Sequence, residues 1–135
     1  MPALNQLATK VWNGKPYADW VHIVHVYVIE PHPKAPDPSP YSGVVWEMTY
    51  SSLSQPKSYA ARVQNAKALA PSLQGKVTLV VDDLTPTAAN PAWCTYGPCP
   101  SCSFLIGQNG IVVQAITQTP STLAPLESAI QALLK

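Results

Sequence analysis

The chain has 135 residues, which suits one domain, residues 1–135, able to bury a core without disulfide staples. Charged residues make up 11% of it, against about 25% in an average globular protein, while apolar residues make up 47% and the net charge is +1. This composition excludes a disordered chain and leaves no electrostatic footprint for nucleic acid or anionic lipid. No run of about 18 apolar residues exists, so no membrane span is expected. No basic region followed by an apolar one opens the chain, so no signal peptide is expected. A surface this poor in charge offers little self-repulsion, which points to a homo-oligomer. The three cysteines, Cys94, Cys99 and Cys102, are too few and too close for a secreted disulfide framework, and the compartment leans to the cytoplasm.

Leu4, Leu7, Ala8, Val11 and Trp12 repeat at helical spacing and predict a helix over residues 3–12, ended by Gly14 and Pro16. Trp20 to Glu30 is a nearly continuous valine- and isoleucine-rich run, as in a strand buried on both faces. His22 and His25 fall on opposite faces of it and cannot form one ligand pair within the strand. Pro31 to Ser42 is a proline-rich loop, and residues 44–50 read as a short strand or as irregular chain. Pro56 opens a helix running to about Ala70. Its predicted apolar face is Tyr59, Val63, Ala66 and Ala70, with Arg62, Gln64, Asn65 and Lys67 toward water.

Val77 to Val81 predicts a second strand, and Asp82 and Asp83 at its end read as turn or helix caps. Residues 84–98 read as loop. Ser103–Ile106 and Ile111–Ile116 predict a β-hairpin, with Asn109-Gly110 as the turn signal. Leu123, Leu126, Ile130 and Leu133 give a C-terminal amphipathic helix. The order is helix, strand, helix, strand, hairpin, helix. It implies an α/β fold with helices flanking one mixed sheet, and it matches a thioredoxin-like order without its first strand.

Four segments carry a family resemblance. Val26-Tyr27-Val28-Ile29-Glu30-Pro31-His32-Pro33 is similar to a V-Y-x-x-E-A-H-P strand, with Pro31 in place of alanine. Gln55 to Ala70 is similar to a Q-x-x-S-x-x-x-R-x-x-x-A helix, with Ser58, Arg62 and Ala66 in register. Leu79 to Asp83 contains a V-V-D strand end. Tyr96 to Ile106 is similar to a Y-x-x-x-P-x-x-x-Y-x-I stretch. In this order the segments resemble the iodothyronine deiodinases. The resemblance implies a thioredoxin-like fold, with Glu30 and His32 handling substrate and proton and Pro100 as the cis-proline. The family's nucleophile lies on a turn before the first helix. This sequence opens at Met1-Pro2-Ala3-Leu4, already in that helix, so the strand and the nucleophile are expected to be missing.

Trp93-Cys94-Thr95-Tyr96-Gly97-Pro98-Cys99 shares residues with the thioredoxin W-C-G-P-C motif. That motif needs a helix directly after its first cysteine to lower the thiol pKa, and a hairpin is expected here instead. Cys99-Pro100-Ser101-Cys102 is still a C-x-x-C. Three readings stay open: a structural disulfide or inert thiols, a pair cycling between dithiol and disulfide, or a soft-metal site with Cys94 and a histidine. Zinc is disfavoured because no second C-x-x-C or histidine pair is present. No cofactor is implied. Two functions follow: a thiol-redox enzyme using Cys99 and Cys102 with Glu30 and His32, or a catalytically inactive thioredoxin-like module that binds or self-assembles.

Overall fold

A computed structural model describes residues 2–40, 42–45, 53–85, 88–97, 101–117 and 123–135. Among these residues, four helices alternate with eight short strands, an α/β architecture. The helices are α1 (Pro2–Thr9), α2 (Tyr59–Leu69), α3 (Pro91–Tyr96) and α4 (Ala124–Leu133). The strands are β1 (Val11–Trp12), β2 (Lys15–Pro16), β3 (Ile23–Tyr27), β4 (Val77–Val81), β5 (Leu84–Thr85), β6 (Ala88–Ala89), β7 (Ser103–Ile106) and β8 (Val112–Ile116). They pair as four two-stranded sheets: β1 with β2, β3 with β4, β5 with β6, and β7 with β8. The expectation that Trp20–Glu30, Val77–Val81 and the hairpin share one sheet is corrected: among the described residues the hairpin strands pair only with each other and β3 pairs with β4. Among the described residues no strand joins the two pairs.

The chain divides into two compact units. The first comprises Met1–His25, Ser72–Thr78 and Cys99–Lys135, and the second Val26–Pro71 and Leu79–Pro98.

In the first unit, α1 stops at Thr9, short of the predicted Trp12. Asn13 (φ 47°) and Gly14 (φ 80°) form a left-handed pair between β1 and β2. Asn-Gly favours such a turn, and glycine occupies the second position without the steric cost a Cβ would bring. Val11 and Trp12 therefore leave the helix for a hairpin. Tyr17 is 1% exposed, with its ring stacked on Trp12 at 6.1 Å. It joins Leu7, Ala8, Ile23, Leu105, Leu123, Leu126 and Ile130 in one core. The side-chain amide of Asn5 clamps the turn before β4, donating to Ser72 O at 2.7 Å and accepting from Gln74 N at 2.9 Å. Gly75 (φ 71°) completes that turn, and a Cβ there would lie 3.2 Å from Ala8 Cβ. Leu105 places the hairpin in the same core, and α4 packs on both of its strands. The β7–β8 register pairs Phe104 with Ala115 and Leu105 with Gln114, then shifts at a bulge to pair Ile106 with Val112.

In the second unit, Ser58 caps α2 by accepting from Ala61 N at 3.2 Å. The predicted buried face is rotated. Tyr59 is 44% exposed, whereas Arg62 is 1% exposed beside Ala66 at 2%. Arg62 and Ala66, spaced i, i+4, form the stripe that faces inward. The proline-rich loop is folded back on the chain. Ser39 Oγ donates to Pro31 O at 2.8 Å, and Lys34 N to Leu53 O at 2.8 Å. Val44 and Val45 are exposed and outside any strand, and residues 46–50 lie outside the described residues. The stretch expected as loop from residue 84 contains the β5–β6 pair and α3.

Candidate functional site

The Glu30 and His32 of the resemblance come together in the second unit. Strand β3 ends at Tyr27, so the expected strand to Glu30 is shortened. Beyond it, the Gln55 side-chain amide takes the place of a neighbouring strand. Its Oε1 accepts from Glu30 N at 2.9 Å, and its Nε2 donates to Glu30 O at 2.9 Å. Gln55 N in turn donates to Asp37 Oδ2 at 3.1 Å, tying the proline-rich loop to the same point. The Glu30 carboxylate is held as well. Tyr27 Oη donates to Oε2 at 3.0 Å, and His32 N approaches Oε1 at 3.5 Å. Glu30 is 8% exposed and Tyr27 7%. Burial, reinforced by the adjacent carboxylate, raises the Tyr27 hydroxyl above the usual phenol range. His32 is exposed.

A second polar knot surrounds Arg62. Its Nη1 donates to Asp82 O at 3.2 Å and to Asp83 O at 2.9 Å, and Nη2 donates to Asn90 Oδ1 at 2.6 Å. Nε has no partner. Burial lowers the guanidinium pKa from its usual value, opposed by Asp82, Tyr27 and Asp83. The Asp82 carboxylate serves the start of α3, accepting from Ala92 N at 2.8 Å and Trp93 N at 2.9 Å. Asp82 thus caps a helix, as its place at a strand end suggested. Asn90 (φ 56°) sits in the left-handed region that asparagine tolerates, directly before Pro91.

The cysteines are distributed differently. Cys94 is a free, exposed thiol inside α3. Cys102 belongs to the first unit and lies with Sγ 3.3 Å from Thr117 O. Of the two described cysteines, Cys102 is not a free thiol. Cys99 and Pro100 lie outside the described residues. The cis X-Pro bond among the described residues is Ala35–Pro36, in the proline-rich loop. Among the described residues no group of three or more His, Cys, Asp or Glu side chains could hold a metal ion. No helix there is long and apolar enough to cross a membrane.

Sequence reasoning missed Tyr27, Asn90 and the inward position of Arg62. The i, i+4 spacing of Arg62 and Ala66 carries the signal for Arg62. Nothing in the sequence marks Asn90 as its acceptor. The motif residues do fastening work: Gln55 holds Glu30, Ser58 caps α2, Arg62 ties three acceptors, and Asp82 caps α3. No protein-family model, curated protein or solved structure matches this chain.

Proposed function

We propose that this chain is a deiodinase-related, thioredoxin-like module that acts by associating with other copies of itself rather than by catalysis. One observation carries this reading: the paired strands turn apolar side chains outward. On β3, Val24 is 51% exposed and Val26 39%, and on β4 Val80 is 39% exposed. A two-stranded sheet has unpaired backbone along its outer edges, and such edges template further pairing. The carboxylates of Glu30 and Asp82 are committed to hydrogen bonds that fasten the chain, which also favours a non-catalytic role. Light scattering at micromolar concentration tests the reading, with a mass well above one chain expected. A monomer mass, with slowly exchanging amides over Trp20–Glu30, would overturn it.

A second reading rests on the cysteines. Cys102 is not a free thiol while Cys94 is, as expected if Cys99 and Cys102 form the redox pair. In this reading the reduced pair passes two electrons to a substrate disulfide by thiol–disulfide exchange and becomes oxidised itself. Insulin-reductase-type turnover, with a potential above roughly −300 mV and loss of activity in Cys99→Ser, is the expected result. An unmodified protein without turnover refutes it.

A further inference from the structure

The β7–β8 hairpin has two unlike faces. Leu105 turns one of them into the core with Leu123, Leu126 and Ile130, and Ile116 packs beside it. Neighbouring residues along a strand point to opposite faces, and residues paired across an antiparallel ladder share one. The other face therefore carries Ile106 and its partner Val112 beside the Phe104–Ala115 pair. Ile106 is 49% exposed, Val112 42% and Val113, at the bulge, 43%. Ile111, at the turn, is 61% exposed. Exposed strands of monomeric proteins usually carry lysine, glutamate or proline as a guard against association. Neither strand of this hairpin carries one.

The charge pattern names the occupant. Between Asp83 and Glu127 the sequence contains no Asp, Glu, Lys or Arg. A charged partner would find no complement there, whereas a second copy meets an equally neutral apolar surface without repulsion. The exposed residues are mostly β-branched, so few rotamers are lost when they are buried. From these features we infer that the outer face of the hairpin, centred on Ile106, Val112 and Val113, packs against the same face of a second copy about a twofold axis. Such an isologous contact is closed and self-complementary. The inference rests on the reading of the chain as self-associating and adds a surface distinct from Val24, Val26 and Val80.

The test uses the full chain in sedimentation velocity, comparing the unaltered protein with Val112→Lys, Val112→Glu and their equimolar mixture, with circular dichroism as the check on folding. The expected results are association of the unaltered protein, at least roughly tenfold weaker association of each charged variant, and recovery in the mixture, where opposite charges face each other. An associating protein whose charged variants associate equally well overturns the hairpin contact and leaves self-association standing. A monomeric unaltered protein overturns both. A mixture that stays dissociated overturns the twofold contact. Should the charged variants fail to fold, Val112→Thr keeps the β-branched shape, and undiminished association of that variant overturns the proposal.

Discussion

Arg62 ties three acceptors together in the second unit. Replacing it with methionine keeps most of the volume and removes every donor. The carbonyl oxygens of Asp82 and Asp83 and the Asn90 side chain then lose their hydrogen bonds. Three acceptors at about 1.5 kcal/mol each, less about 1.5 kcal/mol for the unpartnered Nε that methionine also removes, leave a net loss of about 3 kcal/mol. The loss falls on the chain around α3, because these acceptors flank the strand end and turn that lead into it. Amide exchange at Asn90, Ala92, Trp93 and Cys94 is the assay, since each of these N–H groups is hydrogen-bonded. Their exchange should accelerate roughly a hundredfold where local opening governs it. Arg62→Lys should recover less than half of the protection, because one ammonium cannot span acceptors that a planar guanidinium reaches from two nitrogens. Protection in Arg62→Met within about twofold of the unaltered protein would refute this account of the knot.

Tyr27→Phe should cost about 1–2 kcal/mol in urea unfolding, because the buried Glu30 carboxylate loses its Tyr27 donor, and an unchanged midpoint would contradict the role given to that hydroxyl. Because the Tyr27 pKa is raised in the folded state, its contribution to stability is present below the ordinary phenol range and declines as pH rises above about 10; unfolding of Tyr27→Phe followed on the alkaline side should lack that decline. Burial lowers the His25 pKa, so the unfolded chain binds the proton more readily and stability falls as pH drops below about 6.5; His25→Asn should flatten the slope, and equal slopes in the two proteins would contradict it.

Residues whose role is set by their near neighbours could be read from the sequence, and residues whose role is set at a distance could not. Ser103–Ile106 and the strand after Asn109-Gly110 were legible because alternation, turn chemistry and the Leu105 core position agree. Leu123, Leu126 and Ile130 likewise announced α4 and its buried stripe. Asn13-Gly14 is an equally good turn signal, but the apolar spacing from Leu4 continues through Val11 and Trp12, the first strand of the hairpin, and masks it. A pattern reading places Arg62 in water because charge outweighs position there. Its burial depends on three acceptors lying 20 to 28 residues further on. The Gln55 amide pairing with the Glu30 backbone across 25 residues is of the same kind. At the candidate site, the motif segments contain Gln55, Arg62 and Asp82, for which the sequence suggests no chemistry, and each makes hydrogen bonds that fasten the chain.

The charge-free stretch between Asp83 and Glu127 also sets how the proposed association should answer to its surroundings. Contacts made from such a surface draw on the hydrophobic effect, which weakens on cooling and is strengthened by excluded salts such as sulfate. Screening by simple salt has almost nothing to act on there. With a sequence pI near 7.7, neutral solution leaves copies little long-range repulsion. In the proposed association, cold, dilute solutions away from that pH should favour separate chains, and warmth or sulfate should bring them together.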